Sequence, residues 1–435
     1  MINLANLPLH SDVLEITTAL ATKPKVQAAL AQCVEEAEFA KGEQIRLSEI
    51  PSPTFKEEVR AAEIARLMKA YGLTDVVTDP IGNVVGRRPG RLSKAGKKGP
   101  VLAMGAHMDT VFPEGTDVSV HEREPGVFYG PGLGDNASNL RSMMQILRSL
   151  NRHGIETEGD LLFVGTVGEE GNGDIRGSKA LFDGSRHIDG FLALDSSDVS
   201  RILCGATGSH RWRVTITGPG GHSWSDFGKV PAAIHAMGRA IAKIADLEVP
   251  TDPRTSFNVG TIKGGTSVNT ISQSVTVDVD MRSIGNDALV DLEHRVLAIF
   301  KEAVAAENAR WNVTDEEKTL KVEFLQIGNR PAGLRPDDCP VLQSARAAQK
   351  VLGIELKGYG CSSTDANKPM SMGIPATCIS SGGIGRGAHT LDEHFIFENI
   401  HLGPQLAILT ALTLVGAEGF APVLPALDKM PGLEH

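Results

Sequence analysis

The sequence predicts an α/β protein, a mixed sheet flanked by helices, interrupted by a smaller ferredoxin-like α+β insertion. Three observations carry this prediction. Continuous apolar runs in the first half read as buried strands, a two-residue alternation begins near residue 207, and helical and buried-strand patterns return after Pro331. At 435 residues the chain exceeds what one core usually serves, so two domains are the default. A composition of 41% hydrophobic and 22% charged residues excludes disorder and fibre.

Val101 to Ala106, Leu161 to Val167 and Phe191 to Leu194 are the buried strands. Between the first two, Leu140, Met143, Met144, Leu147 and Leu150 recur at helical spacing directly after Asp135, which sits at or near that helix's start. From about residue 207, Trp212, Val214 and Ile216 alternate with polar residues as in a half-exposed strand. Ile234, Met237, Ile241 and Ile244 then space as a helix, and Val275, Val277, Val279 and Met281 alternate as a strand. A helix over Asp287 to Glu307 and a strand through Leu320, Val322 and Phe324 complete a βαββαβ order. The expected division is therefore 1–206 and 330–432 for the larger domain and 207–329 for the insertion. Leu433, Glu434 and His435 read as the stump of a purification tag and are set aside.

A net charge of -10 argues against a broad nucleic-acid surface. The local basic run of Arg87, Arg88, Arg91, Lys94, Lys97 and Lys98 contains glycine and proline but no aromatic residue, and reads as a solvated loop. Leu406 to Val415 is too short to span a bilayer and reads as a buried helix, so no membrane partner is expected. Five widely spaced cysteines without a CxxC, together with an N-terminus that lacks a cationic segment before an apolar core, point to a reduced, cytoplasmic setting.

Candidate chemistry gathers at the ends of the predicted strands. In Gly105-Ala106-His107-Met108-Asp109 the histidine and aspartate share one strand face, an arrangement suited to a metal-bound imidazole oriented by a carboxylate; a surface pair is the plainer alternative. Asp135, in Gly132-Leu133-Gly134-Asp135-Asn136, has an ordinary helix N-cap as its alternative. Glu169 and Glu170 end an apolar strand between two glycines. Adjacent acids there repel, and a divalent cation relieves the repulsion if one carboxylate ligates while the other serves as general base; an exposed acidic turn is the plainer alternative. Asp195 closes a third strand, and His389 follows the glycine-rich Ser380–Gly387 segment, with a satisfied loop histidine as its alternative. Glu393 is either a supporting acid behind His389 or an exposed one.

This ordered set, an HxD, a glycine-flanked Asp, Glu-Glu, Asp and a late GGxxxxxH, resembles the M20 family of co-catalytic zinc peptidases and amidohydrolases over residues 100 to 395. The resemblance implies a zinc-peptidase-type catalytic domain interrupted by a lid domain, with homodimerisation through the lid. It implies two Zn2+ per chain, with Co2+ or Mn2+ able to share such sites. His107 and Asp195 hold one ion, Glu170 and His389 the other, and Asp135 bridges them. Asp109 orients His107, and Glu169 is the general base for a hydroxide shared by two ions about 3.5–4 Å apart. In the lid, Gly218-Pro219-Gly220-Gly221-His222-Ser223 resembles the segment whose histidine reaches the scissile carbonyl, in cis or in trans. Asn269 and Arg282 resemble residues that hold a substrate carboxylate, Arg282 having a structural ion pair as its alternative.

One departure stands out: Asn136-Ala137-Ser138-Asn139 follows the bridging acid where relatives carry a lysine-glycine-type sequence. The implied activity is cleavage of an amide in a di- or tripeptide or an N-acyl amino acid. A non-catalytic metal- or peptide-binding protein of the same fold is the alternative, and the presence of Glu169, which ligates no ion in this scheme, argues against it.

Overall fold

The computed structural model describes residues 7–313, 315–334 and 338–433, so that Glu434 and His435 of the suspected tag lie outside the described residues. The chain divides into a smaller unit, Thr207–Gly333, and a larger one formed by the chain before and after it.

The larger unit is built on a nine-stranded mixed sheet in the order Asp75–Thr78, Val84–Arg88, Asp160–Thr166, Val101–His107, Gly190–Leu194, Ala376–Ile379, Arg201–Ala206 and Gly333–Leu334, with Gly358–Ser362 also paired to Arg201–Ala206. Asp160–Thr166, Val101–His107, Gly190–Leu194 and Ala376–Ile379 run parallel, and their registers bring His107 opposite Thr166 and Leu194 opposite Ile379. Four carboxyl ends therefore share one edge of the sheet, the edge at which open α/β sheets bind ligands. These strands are buried almost throughout, which is why they read as unbroken apolar runs. Gly105 is required by packing, because a Cβ there would lie 2.7 Å from the Phe191 ring.

Helix Ala137–Arg152 supplies Leu140, Met143, Met144, Leu147 and Leu150 to the main core, and helix Leu402–Val415 is buried along nearly its whole length. No helix among the described residues is long and apolar enough to cross a membrane. A second, four-stranded antiparallel sheet orders Ile384–Arg386, His394–Ile396, Val127–Tyr129 and His121–Glu124.

The basic run is exposed as expected, but part of it is strand and helix rather than loop. Arg87 and Arg88 belong to the Val84–Arg88 strand, where Arg87 pairs with Asp160 at 2.7 Å and Arg88 donates to Asn151 at 2.8 Å. Arg91, Lys94 and Lys98 meet Glu158, Glu156 and Asp428. Acids distant in sequence pair with four of its six cations, which local composition does not register.

The smaller unit follows the order Gly208–Thr217, helix Ala233–Ala245, Thr255–Gly264, Ser274–Ser283, helix Asn286–Arg310 and Lys321–Arg330, that is, βαββαβ. Its antiparallel sheet runs Thr255–Gly264, Ser274–Ser283, Gly208–Thr217, Lys321–Arg330, and the alternating Val214, Ile216, Val275, Val277, Val279 and Met281 face the two helices.

The buried Leu402–Val415 helix yields a stability prediction. Leu409 is fully buried in the main core, so Leu409→Ala should cost about 2–5 kcal/mol through lost transfer energy and a residual cavity, read as a lowered urea midpoint. An unchanged midpoint would mean that the helix does not anchor the larger unit.

Candidate metal centre

His107 is the last residue of its strand, Glu169 and Glu170 follow Thr166, and Asp195 follows Leu194, so three ligand-type segments leave the same sheet edge. Asp135 lies in the turn before helix Ala137–Arg152, and His389 in the loop joining Ile384–Arg386 to His394–Ile396. The two oxygens of Asp135 face different histidines: Oδ1 lies 3.0 Å from His107 Nε2, and Oδ2 lies 3.2 Å from His389 Nε2. His389 Nε2 is also 3.0 Å from Glu170 Oε1. Among the described residues, potential ligand atoms fall within 4.8 Å of one another in three groups: His107, Asp135 and Asp195; Asp135, Glu170 and His389; and His107, Glu169 and Glu170. Asp135 belongs to the first two.

The donor set fits divalent cations. His107 Nε2 and Asp135 Oδ1 are buried and 3.0 Å apart, yet neither has a partner with hydrogen-bond geometry, as expected of two atoms aimed at a common ion. The electrostatics agree. Burial alone would depress the His107 imidazole, but Asp109 and Asp135 override it and hold it well above its ordinary value. His389 is raised to about 10 by its hydrogen bonds to Asp135 and Glu170, and Asp195 is pushed up to about 7 by burial and the charge on Asp135. Negative charge here exceeds what the chain itself neutralises. His389 also adopts φ 66°, a left-handed conformation uncommon for a residue with a side chain.

Two expectations require correction. The Val101–His107 strand stops at His107, so Asp109 is not its same-face neighbour within a strand. His107 Nδ1 lies 3.0 Å from the Asp109 carbonyl oxygen, and the nearer carboxylate oxygen is 3.6 Å away. Beside its contact with the His107 ring, the Asp109 carboxylate also accepts the backbone N–H groups of Glu169 (2.9 Å) and Glu170 (3.0 Å) and the Thr54 hydroxyl (2.9 Å), fixing the acidic pair. Nor does Asp135 cap its helix; Asn136 occupies that position.

The departure at Asn136–Asn139 also finds a physical account. Asn136 donates to the Leu194 carbonyl at 3.0 Å, and Asn139 donates to the Asn136 side chain at 2.6 Å and to the Ser196 carbonyl at 2.8 Å. These amides tie the Asp135 turn to the backbone on either side of Asp195. Sequence reasoning missed them because the Leu194 and Ser196 carbonyls are more than fifty residues away along the chain.

In the smaller unit, His222 Nδ1 accepts the backbone N–H of Trp224 at 3.2 Å, which leaves the proton on Nε2. Asn269 Oδ1 accepts from Ser267 at 2.8 Å, and its carbonyl accepts the Ser223 N–H at 3.0 Å. Arg282 Nε donates to Asp280 at 2.7 Å, the structural pairing weighed from sequence.

Asp109→Asn would turn an NH2 group towards N–H donors that need an acceptor. In protein stripped of metal the substitution should destabilise by about 1–3 kcal/mol, measured as a lower unfolding temperature. Unchanged stability would refute its role in pinning Glu169 and Glu170.

Among known proteins, Bacillus subtilis YqjE, an uncharacterised protein, is 27% identical over 366 residues, covering 82% of this chain and 93% of YqjE. A succinyl-diaminopimelate desuccinylase of Hydrogenovibrio crunogenus is 28% identical over 239 residues, covering 50% of this chain and 61% of that protein. The fold is shared with a Staphylococcus aureus tripeptidase (TM-score 0.71, 22% identity, covering 86% of this chain and 97% of that one). It is also shared with B. subtilis YxeP, described as a dinuclear metal binding peptidase (TM-score 0.62, 15% identity, covering 89% and 99%). The profile of peptidase family M20/M25/M40 matches residues 103–412, a span that contains every ligand-type residue of the centre. The chain therefore belongs to peptidase family M20/M25/M40 and is an enzyme of amide-bond hydrolysis.

Proposed function

We propose that the protein is a two-metal hydrolase that cleaves the amide bond of a di- or tripeptide or of an N-acyl amino acid. The observation that carries this reading is the double facing of Asp135, whose two oxygens each meet a different histidine, with Glu169 alongside. In this reading His107, Asp135 and Asp195 hold one divalent cation, and Asp135, Glu170 and His389 the other. Zinc is the expected metal, with Co2+ or Mn2+ as substitutes. Bound there, the cations supply Lewis acidity towards the scissile carbonyl and lower the pKa of water.

The chain's own residues do the rest. Glu169 accepts a proton from the attacking water and delivers it to the departing amine nitrogen, so one carboxyl group acts first as base and then as acid. Asp109 keeps Glu169 and Glu170 in place through their backbone N–H groups. Because Glu169 also lies within ligating distance of His107 and Glu170, its freedom to move protons depends on Glu170 taking the ligand role. His222, with its proton on Nε2, is the candidate donor to the carbonyl oxygen as negative charge develops. Asn269 and Arg282 are the candidate contacts for a substrate carboxylate. The similarity to a desuccinylase and to a tripeptidase supports a small amide substrate without choosing between an acyl and a peptidyl group.

The test is amine release from dipeptides, tripeptides, N-acetyl and N-carbamoyl amino acids, before and after chelation and zinc restoration. Chelation should abolish turnover and zinc should restore it. Glu169→Gln should retain both ions and slow turnover about 10²–10⁴-fold. Full activity in that variant, or loss of its ions, would remove Glu169 from the role of base.

A further inference from the structure

Glu393 is almost completely buried, and among the described residues no ion pair reaches its carboxylate, which is filled by backbone N–H groups from one turn. Oε2 accepts the N–H of Gly132 at 2.8 Å, and Oε1 accepts those of Gly134 at 2.8 Å and Asp135 at 2.9 Å. The turn is shaped to receive it. Gly132 has φ +73°, and a Cβ on Gly134 would stand 3.3 Å from Glu393 Oε1.

The same residue is bound through its backbone. Its carbonyl accepts the Gly130 N–H at 3.0 Å, and its own N–H donates to the Thr390 carbonyl at 3.1 Å, within the loop that carries His389. The neighbouring His394 pairs with Tyr129, so the small antiparallel sheet continues directly into this contact. One residue thus fastens the turn carrying Asp135 to the loop carrying His389.

The two ligand groups differ in how they are supported. His107 and Asp195 extend from adjacent strands of the main sheet, whose pairing is independent of Glu393. His389 stands on a partly exposed loop, in a left-handed conformation, beyond the main sheet. We propose that Glu393 is a positioning residue that locks the Asp135 turn to the His389 loop and so holds together the ion site formed by Asp135, Glu170 and His389. This inference rests on the two-metal reading above. It adds an asymmetry to that reading: loss of Glu393 should loosen one ion far more than the other.

The experiment is titration of metal-free protein with Zn2+ against a chromophoric chelator, with unfolding temperature measured in parallel. The parent should bind two ions. Glu393→Gln places an NH2 group against at least one backbone N–H donor, and should weaken one ion about 10–100-fold while leaving the other near its parent affinity. His389→Ala should weaken the same ion, and the double variant should be little worse than His389→Ala alone, because both changes act on one site. Gly134→Ala, which keeps the carboxylate but crowds Oε1, should shift the same ion in the same direction and serves if Glu393→Gln does not fold. Equal weakening of both ions, or no weakening, in a folded variant would overturn the positioning role. If His389→Ala and Asp135→Ala both bind two ions like the parent, the two-metal reading fails instead.

Discussion

Carboxylates crowded at one sheet edge are the constraint on which the rest of this structure depends. Asp109, Asp135, Glu169, Glu170 and Asp195 gather by the ends of the parallel strands, and Glu393 reaches the Asp135 turn, in surroundings that strip away most of their water. Charges so placed are costly unless paired or hydrogen-bonded. The chain uses two remedies. Asp109 and Glu393 accept backbone N–H groups; against the cost of burial, the His107 imidazole together with those bonds holds Asp109 below its ordinary value, whereas burial still pushes Glu393 up to about 7. The carboxylates nearest the centre, Asp135 and Asp195, are left facing histidines and one another, and it is there that the demand for an added positive charge is concentrated.

Two arginines extend the same logic. Arg60 is fully buried and donates only to carbonyls: Met108 at 2.8 Å, Ser48 at 3.2 Å and Ile50 at 2.6 Å. Burial lowers its pKa to about 10, and the charges of Asp109 and Glu393 work against that drop. Its hold on the Met108 carbonyl fixes the peptide between His107 and Asp109. Arg141, also fully buried, donates to Ser381 at 3.2 Å and Ile400 at 3.1 Å, bracing the start of the glycine-rich segment that leads to His389. Arg60 brings positive charge near Asp109 and Glu393 without entering the ligand set. Both arginines stiffen the loops that carry the ligands, and their planar guanidinium groups bridge several carbonyls at once.

The ligand-type residues were legible in the sequence because each sits at a punctuation mark: the end of an apolar run, a glycine-bounded turn or a glycine-rich loop. The order of elements in the smaller unit was legible for a similar reason, since Val275 to Met281 and Trp212 to Ile216 alternate without interruption. What escaped was everything defined by a distant partner. The amides of Asn136 and Asn139 have meaning only beside the carbonyls of Leu194 and Ser196. Glu393 meets the N–H of a residue 258 positions away. The basic run is solvated as expected, but its ion pairs with Asp160 and Glu158 could not be read because those acids are not local to it. Periodicity reports which face of an element is apolar, but not which backbone group a polar side chain will find.

The placement of the smaller unit within the sequence raises a folding question that its own topology answers. The chain leaves the larger unit after Arg201–Ala206 and must return before Ala376–Ile379 can pair with Gly190–Leu194 and before His389 can join Asp135. A long excursion between those events would ordinarily impose an entropic cost on closure. Here the first and last strands of the excursion, Gly208–Thr217 and Lys321–Arg330, are antiparallel neighbours, and Ser209 pairs with Arg330. Once its sheet forms, the insertion hands the chain back close to where it received it. For the larger unit the effective loop is then the width of one strand pair rather than the length of the insertion. The residues that converge on Asp135 can therefore come from both sides of the interruption without the larger unit depending on the length of what lies between.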